Sequence, residues 1–84
     1  MEELSSLERI VLKTLSQAGP LTPLEMAVRS LIHPDNILDA LFSLMDKGLV
    51  YRRERPKGIE RHLYFLNEKG AAAAPEGDYE LDGR

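Results

Sequence analysis

The 84-residue chain has no cysteine and no tryptophan, and few other aromatic residues. Without cysteine, disulfide bridges and thiolate metal sites are excluded. The two histidines, His33 and His62, have no paired carboxylate motif nearby, which favours a helix cap and a strand position over metal ligation. No apolar run approaches the roughly 20 residues of a membrane span, and the Met-Glu-Glu start lacks the basic residues of a signal peptide. A cytoplasmic location without membrane attachment is therefore expected.

The sequence also lacks the motifs of catalysis and cofactor binding. It contains no Gly-rich phosphate loop, nucleophile motif or metal-binding pair, and a chain of this size is too small to enclose a large pocket. Tyr51, Tyr64 and Phe65 are too few for a base-stacking platform and are expected in the core of a sheet. We expect a protein that is not an enzyme and binds no cofactor or metal.

Charge is distributed unevenly along the chain. Residues 71–84 contain four acidic residues and one arginine, with too little apolar surface to fold alone. Residues 49–62 contain five cationic residues and two acidic ones. These patterns predict one folded domain over residues 1–70 and an acidic, disordered tail over residues 71–84.

Two helix starts are visible in the first third of the chain. Ser5 and Glu8 form a capping box, and apolar residues then recur at helical spacing up to Gly19. The segment Thr22-Pro23-Leu24-Glu25 repeats this start signal and predicts a short helix over residues 23–30. Leu21, between the two helices, can form a strand of one or two residues. On the second helix, the side chains expected to be buried are Leu24, Ala27, Val28 and Leu31.

The segment from His33 to Val50 has the clearest helix signals. Pro34 suits the first helical position, and Gly48 suits a left-handed cap at the end. The apolar residues of this third helix cover an arc of about 160°, which is wider than one core needs. Leu38 and Phe42 are expected in the core, with a partner subunit or the first helix as the alternative contact.

After Gly48 the chain changes to strand-forming residues. Leu49-Val50-Tyr51 is β-branched and aromatic and continues into a charged segment up to Arg55, and residues 59–66 return as a second strand. Pro56-Lys57-Gly58 between them fits a type I turn. An antiparallel hairpin is predicted. Asn67 can then cap at most one frayed helical turn before Pro75.

The order of helix, short strand, helix, helix and hairpin is that of a winged helix. This is an α+β fold, mostly α, in which a three-helix bundle is followed by a C-terminal two-stranded β-hairpin, the wing. Two motifs support it: Lys47-Gly48-Leu49-Val50 at the exit of the third helix, and Tyr64-Phe65-Leu66-Asn67-Glu68-Lys69-Gly70 at the end of the hairpin. They resemble the corresponding segments of MarR-, PadR- and ArsR-type transcription regulators. The resemblance covers residues 5 to about 70 and implies binding of double-stranded DNA.

Carried over by position, the resemblance places the start of the third helix in the major groove. Asn36 suits the edge of adenine, and His33 or Ser43 suits a phosphate. Asp35 and Asp39 stand where such regulators commonly have Arg, Ser or Thr, and aspartate near phosphates is mostly repulsive. The third-helix residues implied to contact DNA are His33, Asn36, Asp39 and Ser43.

The wing is the better candidate surface for DNA. Its cationic residues crowd around one turn that could lie along a minor groove, and they could release several counterions on binding. Contact with nucleic acid is favoured over contact with a protein and over simple solvation of the hairpin. The wing residues predicted to bind DNA are Arg52, Arg53, Arg55, Lys57 and Arg61.

Two functions follow from these observations. The first is a small, homodimeric transcription regulator that contacts duplex DNA through the third helix and the basic wing. The second is a protein-protein interaction module without sequence-specific DNA binding. Its contact edge on the third helix would be formed by Asp35, Asp39 and Asp46.

Overall fold

The structure is a computed structural model, and it describes residues 4–54 and 62–74. Three helices are followed by an antiparallel hairpin and a short fourth helix, as expected for a winged helix. The elements are α1 (Ser6–Ala18), α2 (Pro23–Ser30), α3 (Pro34–Asp46), β1 (Val50–Glu54), β2 (His62–Leu66) and α4 (Glu68–Ala73). The predicted turn Pro56-Lys57-Gly58 lies outside the described residues, as does the segment 75–84 of the predicted tail.

Capping boxes start α1 and α2, as predicted. The Glu8 N–H donates to Ser5 Oγ at 3.1 Å, and the Ser5 N–H donates to Glu8 Oε1 at 2.8 Å. Thr22 and Glu25 form the same reciprocal pair at 3.2 and 2.9 Å. Each box satisfies backbone donors that the first helical turn leaves without a partner. Local residue chemistry therefore sets where both helices begin.

The boundaries of α3 also agree with the sequence prediction. His33 is the N-cap, and its Nδ1 accepts a hydrogen bond of 3.1 Å from the Asp35 N–H. Pro34 occupies the first helical position, where it sacrifices no hydrogen bond. After the helix, Gly48 has a φ of +76°, in the left-handed region that glycine adopts at little steric cost. This turn directs the chain into β1.

The hairpin pairs with the helical part of the domain through Leu21. In the hairpin register Val50 pairs with Leu66, and Glu54 pairs with His62. Leu21 forms a bridge to Tyr64, with backbone N–H···O distances of 3.3 and 2.9 Å. The predicted short strand is thereby confirmed. Tyr64 is buried, so this bridge fixes the inner face of the wing against the core.

The helices bury a continuous apolar core. Its fully buried side chains come from each of the three main helices and from β2. They are Val11, Leu12, Met26, Ile37, Leu41, Leu44 and Tyr64. The core extends to Ala74, which follows α4 and is also buried.

The predicted burial on α2 is confirmed for one residue and wrong for three. Ala27 is buried, with Met26 beside it, whereas Leu24, Val28 and the C-cap residue Leu31 are exposed. Helical spacing places Leu24 and Val28 on one face of α2, but tertiary packing buries the neighbouring face instead.

On α3 the core interpretation is wrong for Phe42, which is 48% exposed, while Leu38 is half-buried. The apolar arc of α3 is wider than the surface that the other elements cover. Phe42 therefore lies at the open edge of this arc.

Leu31, at the end of α2, has an unusual backbone conformation. Its φ is 60° and its ψ is 35°, which is the left-handed helical region. It is the non-glycine residue with positive φ in the described part of the chain. A side chain with a Cβ costs free energy in this region, where helices commonly end on glycine.

Asn67 joins the end of the wing to the exit of α3. It caps α4 by accepting from the Gly70 N–H at 2.8 Å, as predicted for this residue. Its Nδ2 donates to the Gly48 carbonyl at 2.6 Å, and its N–H donates to the Leu49 carbonyl at 3.3 Å. The two motifs that carry the family resemblance are therefore in direct contact.

Candidate nucleic-acid interface

Two arginines of the wing project into solvent from β1. Arg52 and Arg53 are both exposed, and because they are consecutive in a strand their side chains leave opposite faces. The guanidinium carbon of Arg53 lies 5.9 Å from the centre of the Tyr51 ring, within the range of a cation–π contact. The described part of the wing thus presents positive charge on both of its faces.

The outer face of the wing has an aromatic stack that the sequence assigned to the core. The rings of Tyr51 and Phe65 are 5.1 Å apart with an interplanar angle of 10°. The core prediction holds for Tyr64 but is wrong for Tyr51, which is 39% exposed. Since side chains alternate along a strand, Val50 and Tyr64 take the inner face and leave the stacked pair outside.

The remaining predicted wing residues, Arg55, Lys57 and Arg61, lie outside the described residues. At the described edge of the hairpin, His62 Nε2 lies 3.5 Å from Glu54 Oε2. This contact joins the last residue of β1 to the first residue of β2.

Three of the four predicted α3 residues are exposed: His33, Asn36 and Asp39. Asn36, Asp39 and Ser43 are spaced three and four positions apart, so they share one stripe of the helix. Asn36 and Asp39, together with the N-cap residue His33, form an accessible surface at the N-terminal end of α3.

Ser43 differs because its hydroxyl is engaged inside the domain. It donates a hydrogen bond to Glu8 Oε2 of α1. Lys47, the C-cap residue of α3, places its Nζ 2.9 and 3.0 Å from the two carboxylate oxygens of Glu8. This end of the stripe faces α1. The sequence gives one signal of this contact. Ser43 and Lys47 are one helical turn apart, whereas the position of Glu8 in the sequence does not relate it to either residue.

The buried carboxylate of Glu8 stays ionised in this environment. Burial by itself raises the pKa of Glu8, but hydrogen bonds from Ser43, Lys47 and the Ser5 N–H outweigh it. With the positive charge of Lys47 added, the pKa falls from 4.5 to about 2. Glu8 therefore closes the capping box of α1 and also ties α1 to the C-terminal end of α3.

The acidic edge of α3 is open to solvent. Asp35, Asp39 and Asp46 are all exposed, and the carboxylate of Asp35 lies 3.8 Å from His33 Nδ1. Phe42, which is about half exposed, falls next to them on the helical wheel. The carboxylates of this edge would repel the phosphates of nucleic acid.

Within residues 4–54 and 62–74, no three His, Cys, Asp or Glu side chains are grouped so as to hold a metal ion. None of the helices in these ranges is both long and apolar enough to cross a membrane.

No family model and no curated protein matches the sequence. Solved structures do match the fold. One is described as a MarR family transcription regulator, with a TM-score of 0.77 and 25% identity, and the match covers 82% of this chain and 46% of that chain. A zinc-responsive MarR family member from Lactococcus lactis, ZitR, matches at 0.75 and 24%, over 84% of this chain and 49% of that one. A MarR family regulator from Neisseria meningitidis matches at 0.71 and 23%, over 82% and 49%.

The fold of this chain is therefore the winged helix found in MarR-type transcription regulators. The chain spans about half the length of these solved structures. The similar structures named above are described as regulators.

Proposed function

We propose that this chain is a small transcription regulator that contacts duplex DNA through its basic wing and the N-terminal end of α3. Such a protein would act in the cytoplasm. It would bind DNA as a homodimer, because the two half-sites of a palindromic DNA sequence match the two-fold symmetry of a protein dimer. The observation that carries the proposal is the exposure of Arg52 and Arg53 on the wing of a MarR-type fold. Arginine on an accessible hairpin suits both phosphate contact and insertion into a minor groove.

Residues of the two surfaces would have different roles. The wing arginines would supply most of the affinity, because neutralised phosphates release counterions. Asn36, exposed near the start of α3, would supply base contact through its amide. Asp39, on the same stripe, would weaken overall affinity through repulsion of phosphates. The hydroxyl of Ser43 would contact DNA only after leaving Glu8, which makes it the weakest member of the predicted set.

Removing one wing charge should weaken DNA binding. We expect Arg53→Gln and Arg52→Gln each to raise the Kd for a random duplex by about 5- to 10-fold at low salt, equivalent to about 1 kcal/mol. Fluorescence anisotropy with a labelled duplex measures this. Arg9→Gln, at an exposed position of α1, is the matched control because it removes the same charge elsewhere. Equal effects of the Arg9 and Arg53 variants would exclude the wing as a specific contact surface.

A second function is favoured by the exposed acidic edge of α3. There, Asp35, Asp39 and Asp46 adjoin the half-exposed Phe42, a combination suited to a basic protein partner. In this case the domain would be a protein-protein interaction module, and the wing charges would not be required for its activity.

Charge reversal at Asp39 separates the two functions. If α3 approaches DNA, Asp39→Lys should tighten duplex binding several-fold, because a repulsive charge becomes attractive. Glu68→Lys, at an exposed position of α4, makes the same change in net charge and is the control. Anisotropy titration of both variants gives the comparison. Tightening by the Asp39 variant alone supports DNA contact by α3, whereas no difference between the variants removes α3 from the interface.

A further inference from the structure

On the outer face of the wing, one tyrosine ring contacts both a phenylalanine ring and an arginine. The rings of Tyr51 and Phe65 are 5.1 Å apart at an interplanar angle of 10°. The guanidinium carbon of Arg53 lies over the Tyr51 ring, 5.9 Å from its centre. Because Arg53 follows Tyr51 by two strand positions, both side chains leave the same face of β1. These three side chains form a continuous group, the wing stack.

The Tyr51 ring has a defined orientation within the wing stack. Tyr51 and Phe65 are direct partners in the hairpin register, and such cross-strand aromatic pairs stabilise a sheet. Their separation and near-parallel planes are those of a favourable offset stack. Phe65 is half-buried, so the pair is shielded from solvent on the Phe65 side. Tyr51 therefore offers Arg53 a ring surface whose position is set by the hairpin itself.

Contact with this ring restricts the Arg53 side chain without neutralising it. A free arginine samples many rotamers and loses that freedom when it binds a ligand. A guanidinium held over a ring has already lost part of this freedom, while the N–H donors at its edge stay available for an anion. Arg53 is exposed, so those donors face solvent. The wing stack thus prepares Arg53 for a phosphate contact.

Arg52, the neighbouring arginine, lacks this support. It leaves the opposite face of β1, which it shares with Glu54 two positions further along. Within the part of the chain that the structure describes, the Arg52 guanidinium makes no cation–π contact of this kind. The outer face that carries Arg53 has no acidic residue in the described strands. The two wing arginines therefore differ both in how they are held and in the charge beside them.

We propose that Tyr51 is a positioning residue for DNA binding: its ring, backed by Phe65, holds the Arg53 guanidinium ready for a phosphate of the duplex backbone. This role rests on the proposed function, because it requires the wing to contact DNA. It adds a residue that carries no charge and that no charge pattern identifies. Since phosphate contacts carry no sequence information, the contribution of Tyr51 is the same for every duplex sequence.

A double-mutant cycle measured by fluorescence anisotropy with a random duplex tests the role of the ring. Tyr51→Leu should raise the Kd about 3- to 5-fold at low salt, the value of a solvent-exposed cation–π contact. Tyr51→Phe keeps the ring and should bind within about 1.5-fold of wild type. In an Arg53→Gln background, Tyr51→Leu should change the Kd by less than about 1.5-fold, because the group that it positions is gone. An equal loss in both backgrounds would overturn the proposal.

The salt dependence separates positioning from damage to the wing. Tyr51→Leu retains the Arg53 charge, so the slope of log affinity against log salt should stay within about 0.3 of wild type. Arg53→Gln should reduce the magnitude of the slope by about 0.9. A Tyr51 variant whose slope falls as far as that of the Arg53 variant has lost the phosphate contact itself, which would contradict a positioning role.

Nuclear magnetic resonance relaxation at the arginine Nε atoms tests the wing stack without DNA. In the wild-type full chain, the Nε order parameter of Arg53 should exceed about 0.6 and that of Arg52 should lie below it. Tyr51→Leu should lower the Arg53 value to that of Arg52, and Tyr51→Phe should not. A mobile Arg53 in the wild-type protein overturns the proposal whatever the DNA titration gives.

The two measurements together distinguish failure of this proposal from failure of the proposed function. An ordered Arg53 in a protein that binds no duplex at low salt contradicts the proposed function, and the role of Tyr51 with it. An ordered Arg53 in a protein that binds duplex equally well as wild type and as Tyr51→Leu overturns the role of Tyr51 alone.

Discussion

Gly70→Ala is expected to destabilise the domain by about 2–3 kcal/mol, the cost of forcing extra volume into a tightly packed site. A Cβ built on Gly70 would lie 2.0 Å from the Leu49 carbonyl oxygen and 3.1 Å from a methyl carbon of Leu66. The nearer atom belongs to the backbone, so α4 or the exit of α3 must move. Alanine would otherwise be favoured inside a helix by roughly 0.5–1 kcal/mol. Because the steric clash costs more than the helix preference of alanine contributes, Gly70→Ala lowers the free energy of unfolding.

Thermal unfolding followed by circular dichroism measures this effect. The Tm of the Gly70 variant should fall by about 10 °C or more for a domain of this size. Lys69→Ala is the control, because Lys69 is exposed on the same short helix and should change stability by less than about 0.5 kcal/mol. A Gly70 variant as stable as wild type would mean that α4 does not pack against Leu49.

Glu8→Ala is the second large effect, expected at about 2–3 kcal/mol of lost stability. Glu8 is 5% exposed, and its carboxylate accepts hydrogen bonds from Ser43, Lys47 and the backbone of Ser5. Its removal would leave Lys47 without this charge partner at the contact between α1 and α3. Glu25→Ala is a matched control, because Glu25 holds the same position in the second capping box but is exposed. It should lose about 1 kcal/mol, the value of a cap alone.

The same carboxylate gives stability a defined pH dependence. The pKa of Glu8 is about 2 in the folded protein against 4.5 ordinarily, so the unfolded chain binds its proton first as the pH falls. The stabilisation is therefore complete above pH 4.5 and is lost as the pH falls toward 2. Denaturant unfolding of wild type and Glu8→Gln across this range should show a smaller pH dependence in the variant. Parallel curves would contradict the shifted pKa.

Local chemistry explains which parts of the fold were predictable. The capping boxes at Ser5 and Thr22, the proline start of α3 and the left-handed Gly48 each depend on a few neighbouring residues. Such signals can be read from the sequence, because capping side chains and left-handed glycines satisfy the same backbone groups at helix ends whatever the rest of the fold is. The two motifs at the ends of α3 and the wing also pointed to the correct fold.

Features that depend on tertiary packing were less predictable. Helical spacing aligned Leu24 and Val28, but spacing does not reveal which face of α2 the other helices cover. The alternation of side chains along β1 was likewise visible in the sequence. The sequence did not show whether Tyr51 lies on the inner or the outer face of the wing. The contact between Glu8 and Lys47 joins residues 39 positions apart, and no local pattern reports such a pair.

For the candidate site, the sequence predicted Arg52, Arg53 and the start of α3, and the structure shows that these residues are exposed. The sequence did not anticipate that Ser43 would be hydrogen-bonded to α1, because the hydroxyl falls on the same polar stripe as Asn36 and Asp39. A stripe that is polar throughout can face solvent at one end and a neighbouring helix at the other. The prediction of DNA contact therefore rests mainly on the wing.

The salt dependence of duplex binding by the full chain tests this account most directly. For a random duplex titrated between about 50 and 200 mM salt, each neutralised phosphate contributes about −0.9 to the slope of log affinity against log salt. Arg52 and Arg53 together predict a slope of about −2 or steeper, and the double variant Arg52→Gln/Arg53→Gln should reduce its magnitude by nearly 2. A flat profile, or no binding at the lowest salt, would contradict DNA contact by the wing.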